Sequence, residues 1–140
     1  MKKVISFLFI IFVCIGCTNQ YTSLELPNTQ VIKVKLAVTD KEQQQGLSYI
    51  NEMKGYDGML FIRSKAEQVS FWMNEMKFPL DIIYLDKDMK VLEVFADQQP
   101  CEQTCEFVTS HSSNVKYILE LKSGDSKKVG IDINNIIKKQ

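Results

Sequence analysis

The chain has 140 residues, 45% of them hydrophobic, and its 17 basic side chains balance 17 acidic ones. That length and apolar content suit one globular domain with its own core and argue against global disorder. Charges of both signs are interspersed and Arg63 is the only arginine, so no basic surface can track phosphates and no nucleic-acid partner is expected.

Residues 1–16, M-K-K-V-I-S-F-L-F-I-I-F-V-C-I-G, place two lysines before an apolar run from Val4 to Ile15. The run is too short to span a bilayer comfortably and has the charged and apolar regions of a secretory signal peptide. Ile15-Gly16-Cys17 followed by Thr18-Asn19-Gln20 resembles the lipobox of bacterial lipoproteins, with Cys14 where leucine is usual. The resemblance implies that the signal peptide is removed and that Cys17 becomes the diacylated first residue, with two acyl chains holding the protein stably to the membrane. The other readings of this segment are a plain cleaved signal or an uncleaved anchor. Thr18 in place of an aspartate after the cysteine resembles the signal for sorting to the periplasmic side of the outer membrane in a cell with two membranes.

Residues 17–30 read as the lipidated cysteine and a tether, because T-N-Q-Y-T-S-L-E-L-P-N-T mixes polar residues with one proline and has no strong period. A single β-rich domain is expected over 31–140. V-I-K-V-K-L-A-V from Val31 to Val38 alternates like a half-exposed strand. Thr39-Asp40-Lys41-Glu42 is a capping box, so a short helix is expected near residues 40–49. Gly55 and Gly58 bracket a turn. Short β-rich runs follow at Met59–Arg63, Val69–Met73, Leu80–Leu85, Lys90–Ala96 and Tyr117–Lys122, separated by turn signals such as D86-K-D-M89. The expected fold is mostly β and antiparallel, a compact β-sandwich or partly closed β-barrel-like domain, since short strands need two packed layers to bury their faces.

Once Cys14 leaves with the signal and Cys17 carries lipid, Cys101 and Cys105 remain. An even pair in an oxidising compartment reads as a disulfide. Across so small a loop it would contribute only about 2 kcal/mol, pinning a loop more than holding the fold.

Gly46-Leu47, Gly58-Met59-Leu60-Phe61, Phe71-Trp72-Met73 with Pro79-Leu80-Asp81, and Tyr117-Ile118-Leu119-Glu120-Leu121 with Gly124 resemble, in order and spacing, the motifs of the bacterial and archaeal domain of unknown function 192 family. The Pro100-Cys101 and Cys105 pair resembles a feature of its exported members. The resemblance covers about residues 31–137 and implies a compact β-sandwich-like domain without an established activity, with carbohydrates among the suggested ligands. The chain departs from the family pattern at Ser48-Tyr49-Ile50, where G-L-M-x-R is frequent, and at Asn74-Glu75-Met76, where W-M-K-N-T is frequent.

No catalytic constellation stands out. There is no H-E-x-x-H, G-x-S-x-G or P-loop pattern. The only histidine, His111, has no neighbouring acid in sequence and reads as a surface loop residue. The candidate ligand-binding residues are Asp81, Trp72 and Met73. An aromatic platform beside a carboxylate suits a small polar ligand such as a carbohydrate; the bland reading puts Trp72 in the core and has Asp81 satisfying backbone amides. Of the stretch 70–86, the Trp72-Met73 half is expected to be mainly structural and the Pro79-Leu80-Asp81 half to hold any site, since a carboxylate between Leu80 and Ile82 needs donors. Two alternatives stay open. One is a Cu(I)-handling lipoprotein using Met59, Met73 and Met76 beside Trp72, thioethers being soft donors. The other is a hydrolase pairing Asp81 with Glu75 or Glu120. No resident metal or cofactor is expected. The sequence reads as an uncharacterised, lipid-anchored, extracytoplasmic binding or envelope-associated domain.

Overall fold

Thr39 is the N-cap of a short helix. Its hydroxyl accepts the Glu42 N–H at 3.3 Å while the Glu42 carboxylate accepts the Thr39 N–H at 2.8 Å, the reciprocal capping box. The helix α1, Asp40–Gln45, lies between β2, Val31–Ala37, and β3, Gly58–Glu67. The computed structural model describes residues 20–140. The segment expected to be a signal peptide, residues 1–16, and Cys17 lie outside the described residues. In chain order the remaining elements are β1 (Tyr21–Glu25), β4 (Ser70–Trp72), β5 (Leu80–Leu85), β6 (Val91–Gln98), β7 (Phe107–Thr109), β8 (Val115–Lys122), α2 (Asp125–Lys128) and β9 (Lys138–Lys139).

Seven strands form one curled sheet in the order β6-β5-β8-β3-β2-β1-β9, and β4 pairs with β7 in a separate two-stranded sheet. The fold is mostly β, as the sequence implies. It is not all antiparallel. β2 and β3 run parallel, Val34 opposite Gly58 through Ala37 opposite Phe61, because α1 and the turns after it supply the long crossover that parallel neighbours require. Residues 21–25 are also not tether: β1 pairs with β2 over Tyr21 to Glu25 and buries Leu24 completely.

Both faces of the large sheet are covered, which explains why every residue of β5, L-D-I-I-Y-L, is buried. Leu60, Ile83, Leu85 and Leu119 face one apolar cluster, closed by Val129, Ile131 and Ile137 from the C-terminal segment. Met59, Ile82, Tyr84 and Ile118 face the other, roofed by Leu47, Met73, Met76 and Val108. Gly58 is sterically required: a Cβ there would sit 2.5 Å from the Glu120 carbonyl oxygen on the neighbouring β8. The second cluster lies beneath the small β4–β7 sheet, and that relation creates the site.

Candidate functional site

Alternation along β4 sends neighbouring side chains in opposite directions. Phe71 packs edge-on against Phe61 at 4.9 Å and 85°, and Met73 just beyond the strand is buried at 4% exposure. Trp72 therefore points outward. It is 53% exposed and lies flat against the exposed Phe107 of β7, centroids 5.8 Å apart and planes 4° apart. The reading that puts Trp72 in the core is corrected, while Met73 is buried as a structural residue, because the face of β4 that meets the large sheet is the one carrying Phe71.

The indole forms one wall of a cleft of about 440 Å³ lined also by Asp40, Gln43, Gln44, Arg63, Ser70 and Phe71. The polar groups here are held in place. The Gln43 amide donates to the carbonyls of Val38 at 3.1 Å and Ile62 at 2.8 Å, and its oxygen accepts from Arg63. Arg63 also donates from Nε at 3.0 Å and Nη2 at 2.6 Å to Glu67 Oε1. Those bonds hold the Glu67 carboxyl below its usual range. The guanidinium is thus preoriented and charge-balanced.

Beneath the cleft a narrow recess of about 40 Å³ shares Gln43, Gln44, Phe71 and Trp72 with it and reaches inward past Leu47, Phe61 and Met76 to Glu120. Glu120 is 4% exposed, and its Oε2, wholly buried, has no hydrogen-bond partner among the described residues. Burial pushes its carboxyl up to about 8. Near neutral pH it is a neutral acid, both donor and acceptor.

Asp81 has a different environment. It is completely buried, and its carboxylate accepts the Asp97 N–H at 2.9 Å, the Ser126 N–H at 3.0 Å and the Ser126 hydroxyl at 2.6 Å. Burial alone would raise its pKa, but the bonds from Ser126, Asp97 and the Gly124 backbone together hold it below the usual value. These donors lock β5 to an irregularity in β6, where Asp97 has a φ of 52°, and to the start of α2. Asp81 lines neither the Trp72 cleft nor the recess beneath it.

The model of the family DUF192, described as an uncharacterized ACR, matches residues 23–138. The chain belongs to the DUF192 family. Two solved structures share the fold. One is a candidate transcription regulator from Sinorhizobium meliloti 1021, 26% identical with a TM-score of 0.74, the match covering 85% of this chain and 92% of that one. The other is a protein of unknown function from Novosphingobium aromaticivorans DSM 12444, also 26% identical, TM-score 0.73, covering 84% and 83%. No curated protein matches the chain.

Within this DUF192 domain the remaining sequence candidates are scattered. Asp81 stands opposite Leu121 and Glu120 opposite Ile82 on the paired strands β5 and β8, so the two carboxyls project from opposite faces of the sheet. Glu75 sits in the turn after β4 with a φ of 58°, its carbonyl accepting from Tyr49 N. Met59, Met73 and Met76 share the buried apolar cluster, away from the exposed face of Trp72. Cys101 and Cys105 form a disulfide, Cα atoms 5.6 Å apart, and Cys101 N donates to Met73 O at 3.1 Å, which fixes the end of β4.

Two features were not legible in sequence. His111 does have an acid: Glu93 Oε2 lies 2.7 Å from its Nδ1, and the same carboxylate accepts the N–H groups of His111 and Ser112. The partners are 18 residues apart, Glu93 on β6 and His111 just after β7. Together with Phe95, on which the imidazole stacks at 6.0 Å, His111 borders a second cleft of about 500 Å³ on the other side of the β4–β7 sheet. The second is the buried, unpartnered setting of Glu120, a residue the sequence offered only as a hydrolase partner of Asp81. Glu120 stands in an apolar run, Y-I-L-E-L, whose alternation puts it on the same face as Ile118, and that was the available signal.

Proposed function

We propose that this DUF192 member is a lipid-anchored, extracytoplasmic binding domain that takes a small uncharged polar ligand such as a carbohydrate in the Trp72 cleft. One observation carries the reading: a half-exposed indole lies on the wall of a cleft whose other walls present Asp40, Gln43, Gln44 and Arg63. Such a wall offers a flat apolar face to a sugar ring, and the fixed amide and guanidinium groups suit its hydroxyls. Arg63 is already balanced by Glu67, so the cleft favours neutral over strongly anionic ligands.

Export rests on the charged and apolar leader and on the lipobox-like Ile15-Gly16-Cys17. The Cys101–Cys105 bond supports it, since such bonds persist in oxidising compartments. With β1 starting at Tyr21, an acylated Cys17 would hold the domain close to the bilayer, on the periplasmic side of the outer membrane in a cell with two membranes. The regulator name of the Sinorhizobium neighbour is not carried over, because the balanced charge of this chain offers no phosphate-tracking surface.

Trp72 is the only tryptophan, so its fluorescence reports the cleft directly. Titrating the protein, in a detergent without a sugar headgroup, with methyl glycosides of glucose, galactose and mannose and with their short oligomers should shift the emission and raise the melting temperature. Trp72→Ala should remove the thermal shift. A panel that leaves both readouts unmoved in the parent protein refutes the carbohydrate reading.

A further inference from the structure

The recess at the floor of the Trp72 cleft contains a group the fold does not use. Glu120 makes no structural bond through its buried Oε2, and a buried polar atom without a partner costs about 1 to 3 kcal/mol. An apolar residue of the same length would fill the position at no such cost. The recess, about 40 Å³, is roomy enough for a water or a hydroxyl, which needs roughly 10 to 15 Å³ of such space. Its walls mix apolar Leu47, Phe61, Phe71, Met76 and Trp72 with the neutral polar side chains of Gln43, Gln44, Gln45 and Ser48, and Glu120 is the one ionisable group among them.

We propose that Glu120 is the specificity-determining residue of the cleft: a neutral polyhydroxyl ligand stacked on Trp72 inserts one hydroxyl into the recess, where it both accepts from and donates to the Glu120 carboxylic acid. This rests on the Trp72 cleft being the binding site and adds the ligand chemistry and its control. A single hydroxyl fits the volume and completes the unsatisfied oxygen. A carboxylate or phosphate finds no cationic side chain in the recess lining. An analogue lacking that hydroxyl leaves Glu120 unpaired again and is rejected.

The groups around Glu120 leave it as the one that titrates. From β3 it meets Met59 and Phe61, and from β5 Ile82 and Tyr84 share its face. The Tyr84 hydroxyl donates to the Val108 carbonyl, and burial pushes its pKa far up, so it stays neutral. From α1 and the turn after it come Gln43, Gln44 and Leu47, and from β4 Phe71 and Trp72. Asp40 and Arg63 belong to the outer cleft, and Arg63 is paired with Glu67. Ionising Glu120 removes its donor and draws water into the recess, so affinity falls as pH rises through the range in which it titrates.

The test uses the full-length protein in the same sugar-free detergent, following Trp72 fluorescence against the methyl glycosides at about pH 6.5 and about pH 9.5, on either side of that titration. The parent protein should bind about tenfold more weakly at the higher pH. Glu120→Gln, an amide that donates and accepts without titrating, should bind within about threefold of the parent at the lower pH and equally at both. Glu120→Met should lose about tenfold or more while melting at a higher temperature, since the unpaired oxygen is gone. Equal binding by Glu120→Met and the parent overturns the proposal and leaves the cleft reading intact. A parent affinity that is flat across this pH range overturns it as well. Should Glu120→Met fail to fold, the contrast between the pH responses of the parent and Glu120→Gln decides alone. Absence of any fluorescence response in the parent removes the cleft reading and this inference with it.

Discussion

The carboxylate of Asp81 holds Ser126 twice, accepting its N–H at 3.0 Å and its hydroxyl at 2.6 Å across a sequence separation of 45 residues. A third bond comes from Asp97 N, and the Gly124 backbone adds to them. Every donor aimed at Asp81 is fixed, so Asp81→Asn turns an amide NH2 toward N–H groups or leaves them unpaired. It should cost about 2 to 4 kcal/mol in urea unfolding, and Ser126→Ala about 1 to 2 kcal/mol. The pH dependence has a definite sign. The folded-state pKa lies below the ordinary 3.8, so this stabilisation is full above that value and is lost as pH falls through the lower folded value. Acid should therefore destabilise the parent more steeply than Asp81→Asn over the acidic range, and parallel acid profiles would show that Asp81 is not the clamp.

Trp72 and Phe107 stack in the open, both more than half exposed. Trp72→Ala is accordingly expected to cost only about 1 kcal/mol, far less than truncating a buried indole. A double-mutant cycle with Phe107→Ala should return a coupling of about 0.5 to 1.5 kcal/mol. A loss of about 3 kcal/mol or more from Trp72→Ala alone would mean that the indole is buried in solution.

Glu120 makes the opposite pH prediction to Asp81. Its folded pKa is raised from 4.5 to about 8, so the unfolded chain releases its proton first and stability falls with rising pH from the lower value until both states are ionised. Glu120→Gln should remove that slope. Its stability advantage over the parent should grow from about pH 4.5 to about pH 8, reaching on the order of 5 kcal/mol, and then level off. Chemical unfolding across this range measures the difference directly; a constant offset would place Glu120 in a solvated setting.

The cysteines separate by chemistry. Cys17→Ser should release the protein from the membrane fraction or leave it unprocessed, because the acyl chains need that thiol. Unchanged attachment and electrophoretic mobility would sink the lipoprotein proposal. Cys101 and Cys105 should resist alkylation until a reductant is added. Reduction should cost about 2 kcal/mol at most, because the bond closes a loop with a sequence separation of only 4.

Features whose cause is local could be read directly from the residues. β5 has the bounds expected from its apolar run, Leu80–Leu85, and α1 starts where the Thr39–Glu42 capping box starts it. Both follow from side-chain period and from hydrogen bonds spanning a few residues. The paired Cys101 and Cys105 and the family motifs belong to the same class. The tertiary structure decided whatever depends on what packs across from a residue. β1, β7 and β9 are five residues or fewer and have weak patterns of their own, so they exist because neighbours complete their ladders. Alternation separates Trp72 from Met73 without saying which side meets the core; the docking of Phe71 on Phe61 settles that and turns the indole outward. Asp81 visibly needed donors, but the donors come from Asp97 and Ser126, which only the sheet order and α2 bring to it. Glu120 could be placed on the Ile118 face from its strand. That its buried oxygen would end beneath Trp72 required α1 and β4 to close over it, because hydrophobic burial fixes how much surface is covered while only specific packing fixes where a gap remains.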